Sequence, residues 1–175
     1  MTDLETAFGD ISEEISTVLV GNEELIEQLT ISLLTDGHVL IEGVPGIAKT
    51  TAANLFANVL GIEYKRIQMT PDLLPADLIG THVYRPSSER SELVRGPLFS
   101  NVVVVDEINR ASAKTQSALL EAMEEGTVTI EGETLSLPEP FMVIATQNQI
   151  EQNGTFELPE AQRDRFQFKI SLNAP

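Results

Sequence analysis

The 175-residue chain contains no cysteine, which excludes disulfides, thiolate nucleophiles and zinc sites built on Cys. Its two histidines, His38 and His82, stand far apart, so each reads first as a structural residue and a His-based metal cluster is not expected. Basic residues are scarce: 11 Lys and Arg against 27 Asp and Glu leave a formal net charge of −16. That charge works against attraction to nucleic acid or anionic membrane, without excluding a local basic groove. It also repels itself, which suits a salt-rich cytoplasm, a basic partner or simply a well-solvated acidic surface. Long apolar runs are missing as well. The most apolar stretch, Val102 to Val105, is strand-sized, far short of the roughly 20 residues that a membrane span needs. The acidic start, Met1-Thr2-Asp3-Leu4-Glu5, lacks the basic-then-apolar pattern of a secretory signal. The expected location is the cytoplasm.

What the chain does have is 42% hydrophobic residues, enough for one domain with a core of its own. Helix-like and strand-like patterns alternate, which predicts an α/β fold with a mostly parallel sheet. Asn22 is placed to cap a helix whose Leu25, Ile26, Leu29 and Leu33 share one face. A short strand, 38–42, leads through a Gly/Pro turn into a second helix at 49–60, which Gly61 can close. Strands are further expected at 64–68, 102–105, 141–145 and 166–170. Ser112 should cap a helix running to about Glu125 and closed by Gly126. Thr127 to Leu137, folded about Glu131-Gly132-Glu133, reads as a hairpin, and a short helix is expected near 159–164. The proline-rich stretch from Met69 to Pro97 has weak periodicity and reads as a long, functional or disordered connection.

Two motifs carry chemistry. Gly43-Val44-Pro45-Gly46-Ile47-Ala48-Lys49-Thr50 nearly matches the phosphate-binding pattern G-x-x-x-x-G-K-[ST], with a strand before it and a helix starting inside it. Backbone N–H groups and the helix N-terminus would surround phosphates with partial positive charge. Lys49 would add a full charge at the β- and γ-phosphates, and the Thr50 hydroxyl would ligate Mg²⁺, with Thr51 also counted in the nucleotide site. Ala48 departs from the second glycine, which requires a negative φ there, as a helix start allows. The second motif is the apolar strand 102–105 followed by Asp106 and Glu107, at the carboxyl edge where α/β sheets bind ligands. Strand alternation assigns them different roles: Asp106 to hold Mg²⁺ through its water shell, Glu107 to orient and polarise the attacking water. The ligands implied are a nucleoside triphosphate and Mg²⁺.

These residues resemble the AAA+ ATPase core, and more narrowly the MoxR family, from about Val20 onward. The likeness runs through the phosphate loop with its alanine, Gln68 to Pro75, Gly96-Pro97-Leu98, Asp106-Glu107-Ile108-Asn109-Arg110-Ala111, Lys114 to Met123, Ala145-Thr146-Gln147-Asn148, and Leu158 through Phe166. It implies a P-loop NTPase core at 20–175 after an N-terminal helical segment at 1–19, with an inserted β-hairpin at Thr127–Leu137 and a loop-bearing insert at Met69–Pro97 that would face a pore and touch substrate. A plain surface hairpin is the alternative for both. The helical lid that usually follows such a core is expected to be missing from this chain. By the same resemblance Asn148 would be a sensor helping to position the attacking water. Arg165, or less favourably Arg163, would be an arginine finger serving a neighbouring subunit. Val20 and Gly21 would lie beside the adenine. The implied activity is Mg²⁺-dependent ATP hydrolysis driving chaperone-like remodelling or activation of partner proteins or metalloenzyme complexes. The implied partners are a homo-oligomeric ring, expected as a hexamer, a von Willebrand factor A domain protein encoded nearby, and a protein client. Two other readings stay open: a non-hydrolysing nucleotide-binding module or fragment, and a DNA-associated motor, which the acidic charge disfavours.

Overall fold

In the computed structural model the described residues are 23–43, 49–87, 89–147 and 158–172. Five parallel strands form the sheet, in the order β2 (Tyr64–Gln68), β5 (Val102–Asp106), β8 (Met142–Gln147), β1 (Val39–Gly43), β9 (Phe168–Leu172). The run Val102-Val103-Val104-Val105 is buried on both sides because alternate residues serve different layers. Val102 and Val104 meet α1 (Glu23–Leu34) and α2 (Lys49–Leu60) through Leu25, Ile26, Leu29, Ala53, Phe56 and Ala57. Val103 and Val105 meet α4 (Ala113–Glu125) through Leu119 and Met123. The expected α/β fold with helices on both faces is the one observed.

Most expected elements are present, with ends moved by a residue or two. Ser112 Oγ accepts from the Thr115 N–H at the start of α4, and Gly126, at φ +63°, closes it in the left-handed region that glycine adopts without a Cβ clash. Strand β9 starts at Phe168 rather than Phe166, because Phe166 is a buried plug in the core below the sheet. The hairpin of β6 (Thr127–Ile130) and β7 (Glu133–Ser136) turns on Glu131 and Gly132 alone, both at positive φ.

The stretch 69–97 departs most from expectation. It contains α3 (Pro75–Ile79) and an antiparallel hairpin, β3 (Gly80–Arg85) with β4 (Arg90–Arg95). Both strands are exposed along most of their length, so their sequence carries no apolar alternation. A side chain at Gly96 would collide with the Leu78 carbonyl and one at Gly80 with that of Val94, so two glycines let α3 turn tightly into the hairpin.

His38 ties the layers together. Its Nδ1 accepts from the Val143 N–H at 3.0 Å, which leaves Nε2 protonated to donate to the Met123 carbonyl at 3.0 Å. The neutral ring is therefore the one that fits, and burial lowers its pKa from the usual 6.5. Stability from this group is present above the unfolded value and is lost as pH falls below it, because the unfolded chain then binds the extra proton. Unfolding free energy should decline below pH ~6.5 with a component of up to about 1.4 kcal/mol per pH unit. Denaturant titrations from pH 8 to 5 should show that component in the wild type and not in His38→Gln.

Candidate functional site

The strand order brings the carboxyl ends of β1, β5 and β8 side by side. Gly43 ends β1, and the chain re-enters the described residues at Lys49, where α2 begins on one face of the sheet. Val44, Pro45, Gly46, Ile47 and Ala48 lie outside the described residues, as do Val20, Gly21 and Asn148; Lys49, Thr50 and Thr51 are described as backbone of the first turn of α2.

Asp106 is the last residue of β5 and is 7% exposed. Alternation turns it toward α2, on the same face as Val104, Arg66 and Gln68. The Arg66 Nε donates to Asp106 Oδ2 at 2.6 Å, and the Thr146 hydroxyl donates to Oδ1 at 3.4 Å. That hydrogen bond holds the Arg66 guanidinium still more firmly in its charged form.

Glu107 does not continue the strand. Its backbone is left-handed, φ 56° and ψ 54°, and a short 3₁₀ turn, Ile108–Arg110, follows. Strand alternation therefore does not govern this residue: Gln68, on the Asp106 side of the sheet, reaches the Glu107 carboxylate at 2.9 Å. Arg110 Nη1 donates to the same oxygen at 3.0 Å. A non-glycine residue in this region costs on the order of 1–3 kcal/mol and persists only where its surroundings over-determine it. Here the Glu107 N–H donates to Thr146 Oγ1 at 3.0 Å. Gln116 Nε2 donates to the carbonyls of Ile108 and Ala111, which fixes the turn from below. One hydroxyl on β8 thus holds both the Asp106 carboxylate and the Glu107 backbone.

Four residues of this arrangement, Arg66, Gln68, Thr146 and Gln116, have no part in the site as read from sequence. A signal existed for three of them. Arg66 and Gln68 alternate on a strand paired in register with the one that ends in the acids, and Thr146 is a hydroxyl at the end of an otherwise apolar strand. A fifth, Glu42, sits one residue before the loop and is 4% exposed, yet bonds Lys169 Nζ on β9 at 2.8 Å.

Arg165 is not brought to this edge. It precedes β9, whose first residue pairs with Val39 at the amino end of β1. Five strand residues, about 16 Å, separate the two ends of the sheet. There Arg165 Nη1 pairs with Glu124 Oε2 on α4 at 2.7 Å. Arg163, the alternative, ends the short helix α5 (Glu160–Arg163) and is exposed.

On the opposite face from α2, the two hairpins approach where His82 Nδ1 lies 3.3 Å from Glu131 Oε2, without a hydrogen bond between them. Val83, Tyr84 and Val94 on the β3–β4 hairpin are exposed, Tyr84 to 60%. No helix among the described residues is long and apolar enough to cross a membrane.

Residues 38–168 match the family model described as "ATPase family associated with various cellular activities (AAA)". The chain is 53% identical over 162 residues to the "Chaperone MoxR1" of Mycobacterium tuberculosis, covering 93% of this chain and 43% of that protein. It is 36% identical over 180 residues to the "Protein MoxR" of Methylorubrum extorquens, covering all of this chain and 52% of that protein. A crystal structure of a provisionally assigned ATPase from Cytophaga hutchinsonii superposes with a TM-score of 0.89 at 48% identity, over 98% of this chain and 52% of that one. The chain spans about half the length of these relatives.

Proposed function

Since the chain belongs to the MoxR family of AAA+ ATPases, we propose that it binds ATP with Mg²⁺, hydrolyses it, and uses the cycle for chaperone-like remodelling or activation of partner proteins. The observation that carries this reading is the pair Asp106 and Glu107, held by Thr146 at the carboxyl edge beside the end of β1 and on the face where α2 starts.

The residues around Asp106 fit a hard cation. The donors are a carboxylate and the Thr146 hydroxyl oxygen, and a guanidinium already supplies positive charge to Oδ2. Asp106 and the Thr50 hydroxyl would hold Mg²⁺, which when bound neutralises charge on the β- and γ-phosphates. Lys49 would add its own charge there, with the backbone of 43–48 and Thr51 completing the cradle and Val20 and Gly21 lying by the adenine. Glu107 would orient the attacking water and accept its proton, with Asn148 fixing the water from the end of β8. Gln68 and Arg110 both bond Oε2 of Glu107, which orients the carboxylate and leaves Oε1 to face the water.

The position of Arg165 supports action on a neighbour. It stands at the amino end of the sheet, the wrong end for the site of its own subunit, and a closed ring would carry it to the next one. The assembly proposed is a homo-oligomeric ring, expected as a hexamer. The exposed Val83, Tyr84 and Val94 are suited to grip a protein client, and a von Willebrand factor A domain protein is the expected co-worker. The net charge of −16 favours protein over nucleic acid as client.

Equilibrium binding of a fluorescent ATP analogue tests the site directly. Lys49→Ala should weaken binding roughly ten- to a hundredfold, the range of a hydrogen bond to a charged group. Unchanged affinity would place the nucleotide elsewhere.

A further inference from the structure

The salt bridge between Arg66 and Asp106 has a consequence for metal loading. Asp106 is nearly buried, and its two oxygens are both engaged: Oδ1 by the Thr146 hydroxyl, Oδ2 by Arg66 Nε at 2.6 Å. The arginine is not part of the core. Its side chain is 56% exposed on the edge strand β2, so it can swing toward solvent without opening a cavity. Register keeps it close, because Gln68 pairs with Asp106 and Arg66 lies two residues back on the same face.

We propose that Arg66 is a positioning residue that acts as the resident counter-charge of Asp106, competing with Mg²⁺ for this carboxylate and so setting the Mg²⁺ concentration at which the nucleotide site loads. This rests on the reading of Asp106 as the metal-binding acid. A buried carboxylate without a cation is costly, and Arg66 removes that cost in the metal-free state. A hydrated divalent ion arriving at the same carboxylate finds a guanidinium already on Oδ2, and two positive centres on one carboxylate repel. Loading Mg²⁺ therefore requires Arg66 to give up Oδ2, and the free energy of the ion pair is charged against metal affinity. Because Arg66 is exposed, the pair has the strength of a surface bridge, which corresponds to a change of roughly two- to fivefold in an equilibrium constant. The competition weakens as salt screens the pair.

The test is the Mg²⁺ dependence of fluorescent ATP-analogue binding, which needs no turnover, in wild type, Arg66→Gln, Arg66→Lys and Asp106→Asn. Arg66→Gln should lower the half-saturating Mg²⁺ about two- to fivefold, leave analogue binding in EDTA unchanged, and lose its difference from wild type at high salt. Arg66→Lys, which keeps the charge, should stay near wild type. A thermal melt with Mg²⁺ alone checks each variant for folding, and Arg66→Gln should gain more from the metal than wild type does. If Asp106→Asn raises the Mg²⁺ requirement while Arg66→Gln leaves it unchanged or raises it, the competition is overturned and the metal reading stands. If Asp106→Asn also has no effect on the Mg²⁺ requirement, the metal reading falls and the competition with it.

Discussion

Glu107→Gln is expected to leave ATP binding intact and to cut hydrolysis by about two to four orders of magnitude, the contribution of a positioned general base. The substitution is nearly isosteric. The left-handed backbone is held through the Glu107 N–H and Thr146, which the change does not touch, and an amide oxygen can still accept from Gln68 and Arg110. What disappears is the carboxylate able to take a proton from water. Phosphate release measured beside analogue binding separates the two properties. Turnover within twofold of wild type would remove Glu107 from the chemistry, and turnover absent in both proteins would favour a nucleotide-binding module that does not hydrolyse.

Arg165→Ala should be at least as severe, about 10³- to 10⁵-fold, if an arginine delivered from the neighbour stabilises the transition state. The sheet makes the direction of delivery testable. Within one subunit Arg165 lies about 16 Å of strand away from the Asp106 edge, so on the proposed reading the two defects would belong to different subunits of a shared site. Mixing Arg165→Ala with Glu107→Gln should then restore part of the activity, because some interfaces combine an intact Glu107 with an intact Arg165. A mixture as inactive as its components would assign both residues to one subunit's site. On the proposed reading the bond to Glu124 would be exchanged for the neighbour's phosphates on assembly, and α4 would then lose a counter-charge.

Much of this was legible in the sequence because burial and turn chemistry leave marks there. The four valines before Asp106, the helical spacing of Leu25, Ile26 and Leu29, the Ser112 cap and the Gly126 stop each have one physical cause and one observed counterpart. The β3–β4 hairpin was hidden for the opposite reason: strands solvated on both faces have no pattern to read. Phe166 misled because a lone core plug beside a strand looks like the strand's first residue. At the site, residue identity announced the acids but not their partners. That Glu107 would leave the strand in a left-handed turn depends on Thr146 and Gln116, which come from 39 and 9 residues away. Arg66 on Asp106 and Arg165 on Glu124 are likewise products of register and packing that no local window contains.

The most direct test of an ATPase whose sites are shared between subunits is the rate of Mg²⁺-dependent ATP hydrolysis per molecule across a protein dilution series. The rate should rise steeply with concentration and then level as rings fill. A per-molecule rate that is flat over the whole series, with ATP still bound, would contradict it.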